Sequence, residues 1–585
     1  MLYPKLRELE TKRQMIDAFR GYNHNLRIAD SEFYDMKNMT SDYYPVLSPR
    51  GKRGVYCAPE NPQGLIAKDK LCYVDGSAII VGEDWVDMGL STEEADCPKQ
   101  LISMGAYVII MPDKKYINTI DLNDRGNIEA SFTTTGDVKF ELCTITGEAY
   151  ADAVVSAAAP ENPQNLALWI DTSSKPHTLK KYSTTSEAWV SVATTYIKIS
   201  STGIGKLFKQ YDGVTVSGIA PEALQDLNGT MVLWECGDDY IVVIGILDEV
   251  VTQAAADGAI TIERKMPNMD FIIESENRLW GCRYGTAVNG EMVNEIYACK
   301  LGDFKNWNCF MNLSTDSYAA SCGTDGQFTG AITHLGYPLF FKENFVHKIF
   351  GNYPANYQIQ TTACRGVQKG SHRSLAIVNE LLYYKSRTSV CAYDGSLPTE
   401  VSYALGNESY SDAVGGAHGN KYYISMKDVY GVWHLFVYDA AKGMWHREDN
   451  YHAEAFCSWM GELYSIDHDS KKILTMIKAD NEPEEKVEWM VETGEIGIST
   501  VDMKYISRLT VRMSLEVGTE VRFYAQYDFS DQWEPLFALR STNLRSFSIP
   551  IRPRRCDHMK LRIEGNGGAK IYARTDTIEQ GSDIS

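Results

Sequence analysis

The sequence predicts an all-β protein: a β-propeller of six or seven blades, a β-rich domain inserted into it, and a C-terminal antiparallel β-sandwich. Three observations carry this. Aromatics make up 11% of the chain, with 35 Tyr, and there are 45 Gly, a mixture that favours strands and turns over long helices. Short apolar-aromatic phrases recur, and Phe340, Tyr383, Tyr423 and Tyr464 fall at intervals of 43, 40 and 41 residues. Four-stranded blades repeat at about 40–50 residues, because one small twisted sheet cannot cover its own faces and must stack on its neighbours. Finally, from residue 484 the pattern changes to strict alternation of apolar and polar residues, the signature of strands with one wet face.

Taken in order, residues 1–53 form a polar N-terminal arm expected to lie on other surfaces. Within it, Asp30 to Arg53 reads as one turn-rich helix with an extended exit. Asp30 is placed to cap the first turn, and Phe33, Met36 and Met39 share a helical face. Pro45 then ends the helix. Residues 54–122 hold the first blade phrases, Leu71–Gly76 and Ala106–Met111. Residues 123–265 break the rhythm with an Ala/Pro-rich stretch and new strand-like runs, and read as the insertion. Residues 266–483 resume the phrases at Leu279, Phe340, Tyr383, Tyr423 and Tyr464. In 484–585, Leu509, Val511, Met513 and Leu515 alternate with polar residues, as do Val521, Phe523, Ala525 and Tyr527. The tail from Gln580 to Ser585 is expected to be disordered.

The run Asp35-Met36-Lys37-Asn38-Met39-Thr40-Ser41-Asp42-Tyr43-Tyr44-Pro45-Val46-Leu47-Ser48-Pro49-Arg50 resembles the opening of phage stabilisation or tail-accessory proteins, similar to the packaged-DNA stabilisation family of short-tailed phages. It covers the first tenth of the chain and carries no catalytic group. The resemblance implies a propeller in a virion tail or neck, made in the host bacterial cytoplasm. It implies a cyclic ring, a hexamer, that makes the head-tail connection by joining portal, adaptor or other tail proteins and helps retain packaged DNA. In that setting Tyr43, Tyr44 and Pro45 are expected as packing anchors. Two basic clusters, Arg50, Lys52 and Arg53, and Arg552, Arg554 and Arg555 around Pro553, are expected as electrostatic contacts to neighbouring subunits or, non-specifically, to DNA. Ion pairs within the same chain are the other reading of both clusters.

Composition limits the function classes. The net charge is −20, so any nucleic-acid contact must be local. No apolar run approaches the roughly 20 residues of a membrane helix, and no membrane partner is expected. The start lacks the apolar core of a signal peptide. Thirteen irregularly spaced cysteines without a CxxC pair read as reduced, mostly buried thiols.

The search for chemistry yields no catalytic, cofactor or metal constellation, and the expectation is a protein that is not an enzyme. Gly203-Ile204-Gly205-Lys206 lacks the spacing of a phosphate loop and has Leu207 where a hydroxyl is needed. Asp121 to Gly126 resembles a calcium loop spoiled by Arg125. His446 and His452 lie six residues apart with no third ligand in view. The alternative function is a receptor- or glycan-binding propeller, with acidic pairs on blade edges available for glycan cleavage.

Overall fold

The structure, a computed structural model, describes residues 11–580 except 93–98 and the single positions 151, 288, 480, 500, 502, 529 and 553. The tail beyond 580, expected to be disordered, lies outside the described residues. The fold is all-β and of the propeller class, with 3-10 turns as its only helical elements among the described residues. Two compact units partition the chain: Met1–Lys99, Phe340–Val346 and Thr362–Ser585 in one, Gln100–Leu339 and His347–Thr361 in the other.

Seven four-stranded sheets among the described residues supply the blades, six of them with their strands in chain order. They span residues 62–87, 100–127, 271–321, 330–363, 376–400, 410–447 and 453–475, the last taking its fourth strand from Gly54–Cys57. That strand pairs antiparallel, Thr475 opposite Gly54 and Ile473 opposite Cys57. The recurring aromatics are explained by this arrangement. Phe340, Tyr383, Tyr423 and Tyr464 all lie in the second strand of successive sheets and are all buried. The turns feeding those strands explain the Asn and Gly signals. Asn379 and Glu380 both have positive φ (48° and 67°), as do Met460 and Gly461 (47° and 73°), the backbone of tight two-residue hairpins.

In the second unit, the sheets at 100–127 and 271–321 enclose Ile109, Tyr116, Leu279, Phe304 and Trp307. The insertion is β-rich: two sheets close over Phe140, Ile197, Ile199, Val214, Val216, Ile241 and Ile262. A third sheet, residues 154–191, contains a parallel pair, Val154–Ser156 with Leu168–Asp171.

The first unit carries the C-terminal sheet. Its centre is one long strand, Lys504–Tyr527, that bends where Gly518 adopts φ +84° and the register slips between Leu515 and Glu520. Before the bend it pairs with Ala569–Gln580, and after it with Met559–Asn566, while Glu534–Ile549 follows it on the other edge. A strand that changes partners at a bend makes the corner through which two layers share one sheet. The alternating residues Leu509, Val511, Met513, Val521, Phe523 and Ala525 all face its core and are fully buried.

Here the N-terminal expectations are corrected. Thr11–Ile16 pairs with Ala569–Gln580 and Phe33–Lys37 pairs with Glu488–Thr493, so the arm builds two edge strands of this sheet. Ile16, Phe19, Tyr22, Phe33, Met36, Met39 and Leu47 join its core. In place of the expected helix the chain turns at 30–32 and continues as the strands Phe33–Lys37 and Met39–Thr40. A three-residue apolar spacing fits a helix, but a register slip between Phe33 and Asp35 returns Phe33 and Met36 to one face of an extended chain. Asn38, at φ 56°, then turns the chain so that Met39 also faces inward.

Candidate functional site

In the first unit, three inner strands begin side by side: Pro62–Ala67, Tyr410–His418 and Ala453–Trp459. Each carries a register slip near this beginning, between Gln63 and Leu65, Ser411 and Val414, and Ala453 and Ala455. The extra residues are Gly64, at φ +71°, Asp412 with Ala413, where Asp412 has φ 49°, and Glu454. Bulges re-aim side chains and end pairing, and they gather at functional rims. Gly64, Asp412 and Glu454 all line one cleft of about 510 Å³, together with Gly370, His372, Arg373, Trp433, His452, His468 and Lys471.

The cleft is built on stacked rings. The Trp433 indole and His452 imidazole are 3.8 Å apart at 13°, and His452 and His468 are 4.1 Å apart at 32°. The hairpin explains why the two histidines meet. They lie on either side of the Met460–Gly461 turn, and the His468 amide donates to the His452 carbonyl at 3.0 Å. The slip at Glu454 sets that pairing, because Ala455 faces Ile466 but Ala453 faces Asp467.

Charges surround the rings. His468 Nδ1 lies 2.6 Å from Glu454 Oε1, and Lys471 Nζ lies 3.3 Å from the same oxygen. Arg373 Nη1 donates to the Glu454 carbonyl at 2.8 Å. Lys427 pairs with Asp412. Burial, with His468 adding to it, pushes His452 down to about 4, and burial with the Arg373 charge does the same to His372. Both rings are therefore neutral at neutral pH. Burial also lowers Arg373, against the pull of Glu454. The arrangement offers flat apolar rings beside hydrogen-bonding groups of both charges.

The first basic cluster contacts the link 448–451, which leads into His452. Arg50 and Arg53 are only 8% and 4% exposed. Arg53 donates to Glu448 Oε2 at 2.6 Å and to Asp449 Oδ2 at 2.8 Å, and Arg50 donates to Glu484 Oε2 at 2.7 Å. The Arg53 guanidinium also covers the Tyr451 ring at 4.9 Å. These two arginines thus hold the link 448–452 that delivers His452. Their expected role as outward contacts is corrected: acidic partners from distant parts of the same chain enclose them. Lys52 stays exposed and donates to the Glu485 carbonyl.

The other expected residues lie elsewhere. Tyr43 and Tyr44 are 51% and 41% exposed and Pro45 is exposed beside them, with Lys570 over the Tyr43 ring at 4.1 Å. Arg554 pairs with Glu534 at 2.9 Å and covers the Tyr527 ring at 3.8 Å. Arg552 and Arg555 are exposed, and Pro553 lies outside the described residues. His446 does not join His452: it is buried, and burial pushes it down to about 3. The segment Gly203–Lys206 is a turn. Sequence reasoning missed Arg373, Trp433, Glu454 and His468. The one usable signal was the placement of His452 and His468 on either side of the Met460–Gly461 turn, eight and seven residues from it, which the slip at Glu454 brings into register.

No family model matches the chain, and no curated protein matches it. Among solved structures, it is similar to an exo-β-1,3-galactanase from Phanerochaete chrysosporium with galactose, at 8% identity over 52% of this chain and 94% of that one, TM-score 0.21. It is also similar to Trypanosoma rangeli sialidase in complex with sialic acid, at 9% identity over 98% and 96% of the two chains, TM-score 0.20. An engineered GH43 glycoside hydrolase with endo-xylanase and exo-arabinofuranosidase activity matches at 8% identity over 53% and 96%, TM-score 0.20. The expectation that this chain is not an enzyme is corrected on this finding.

Proposed function

We propose that the protein binds a glycan in the cleft at the bulged ends of its three inner strands. The observation that supports this best is the Trp433–His452–His468 ring stack, set among Arg373, Asp412, Glu454 and Lys471. A pyranose has an apolar C–H face and a rim of hydroxyls. Aromatic rings meet the face, and charged groups make strong hydrogen bonds to the rim. Convergent polar groups in a concave site are also the usual form of a small-ligand pocket. Titration of the protein with a panel of mono- and oligosaccharides tests the reading. At least one sugar should bind, and Trp433→Ala should weaken it about tenfold or more, a loss of about 1.4 kcal/mol. A panel that binds the W433A variant as well as the parent removes the cleft from the account. Release of reducing sugar in the same samples would extend binding to cleavage.

A second reading draws on the exposed, adjacent Tyr43 and Tyr44. In it, the protein is a structural component of a phage tail or neck, a ring that joins portal, adaptor or tail proteins and helps retain packaged DNA. The exposed Arg552 and Arg555 then supply local contacts to DNA phosphates or acidic neighbours. Native mass spectrometry tests it: a closed ring lost in the Y43A/Y44A variant supports it, and a monomer at all concentrations opposes it.

A further inference from the structure

We propose that His452, His468 and Asp469 form a binding site for a divalent transition-metal ion of the zinc class. The site goes beyond glycan recognition and does not depend on it. One ligand atom from each of the three side chains lies within 4.8 Å of the others. Ligand atoms sharing a tetrahedral metal at ~2.0–2.2 Å stand roughly 3.3–3.6 Å apart, so side-chain rotation must draw the group together by up to about 1.5 Å.

Four features single out this cluster. First, the His452 ring is half-buried and accepts or donates no hydrogen bond among the described residues; its contacts are the two ring stacks. An imidazole without a hydrogen-bond partner keeps a ring nitrogen open to a metal. Second, His468 is oriented from behind. Glu454 Oε1 holds its Nδ1 at 2.6 Å, which leaves Nε2 as the coordinating atom. A carboxylate behind a ligating histidine fixes its tautomer and raises its basicity. Third, the ligands stand on a stiff support. His452 and His468 face each other across the hairpin through a backbone bond of 3.0 Å, and Arg53 anchors the link that carries His452. Fourth, the local charge suits a cation. Glu454, Asp467 and Asp469 act on the His452 ring, outnumbering the neighbouring Lys471 and Arg373.

The ligand set selects the metal. Two imidazoles and one carboxylate suit zinc, cobalt or nickel and not calcium or magnesium, which take oxygen cages. Three protein ligands leave a fourth position open. In a site that lines the cleft, that position is available to water or to a hydroxyl of a bound molecule.

The test uses the full chain, stripped with a chelator and titrated with zinc chloride by calorimetry at neutral pH. One saturable site is expected. Glu454→Gln should weaken it by about 10–100-fold, because only the support behind His468 changes. The H452A/H468A double variant should lose it. Cobalt(II) provides a second readout: its visible spectrum should be intense with the parent and absent with the double variant. A parent chain that takes up no zinc, or a double variant that binds as tightly as the parent, overturns the proposal. Circular dichroism of the metal-free parent and E454Q should coincide, which separates loss of ligation from loss of fold.

Discussion

Two groups of arginines read alike in the sequence and end in opposite surroundings. Arg50 and Arg53 follow Pro49 on either side of Gly51 and Lys52, and Arg552, Arg554 and Arg555 surround a proline after a strand. The first pair is enclosed by Glu448, Asp449 and Glu484, residues about four hundred positions away in the chain. In the second group, Arg554 meets a half-exposed Glu534, while Arg552 and Arg555 stay in solvent. A cluster of like charges has no fate of its own. Distant partners decide whether it becomes internal structure or an outward contact, and here the inward cluster also holds a wall of the cleft.

The largest effect should come from breaking the inward cluster. Arg53→Ala leaves Glu448 and Asp449 enclosed without their hydrogen-bonded cation. Removing one partner of a buried pair costs about 3–5 kcal/mol, which urea unfolding of the first unit would register. Lysine at this position should restore only part of it, since a point charge cannot serve two carboxylates as a planar fork does. The same variants should loosen the link 448–452 and weaken any ligand that touches His452.

A smaller effect should follow from acid. Burial pushes Asp449 up, but Arg53 and Arg50 together hold its carboxyl below the usual range; Arg50 does the same for Glu484 against burial. A carboxyl with a depressed folded-state pKa stabilises fully above the unfolded value of about 4, and this is lost as pH falls through the lower folded value. The parent should therefore lose stability on acidification below about pH 4 more steeply than Arg53→Ala does, as followed by thermal melts across that range.

The outward cluster should respond least. Arg554→Ala removes an exposed pair and a ring contact and should cost about 1 kcal/mol or less. Arg552→Ala and Arg555→Ala should change stability by less than about 0.5 kcal/mol. If these two arginines meet phosphates, their loss should instead lower retention on an anionic column at low salt, with the difference vanishing as salt rises. Large destabilisation by either would erase the contrast between the clusters.

The same contrast between local and distant determinants explains what was legible beforehand. The blade rhythm could be read because each aromatic serves its own sheet in the same way: Phe340, Tyr383, Tyr423 and Tyr464 occupy equivalent second strands. Alternation over Leu509–Leu515 was equally local. Register slips were not legible. One slip disguised Phe33 and Met36 as a helical face, and another brought His452 opposite His468. The edge strand Phe33–Lys37 draws its partner from Glu488–Thr493, and nothing within the arm announces that pairing. The cleft was hidden for the same reason: Arg373 and Trp433 come from other links and hairpins than Glu454 and His468, and only the stacking of sheets assembles them.

Hydrogen exchange across the whole chain, with and without a saturating sugar chosen from the binding panel, bears most directly on the cleft as the working surface. Slowed exchange at 370–373, 410–414, 452–454 and 468–471, absent from the W433A variant, is the expected result. Protection confined to the Tyr43–Tyr44 loop or to other sheets, with those four segments unchanged, would contradict it.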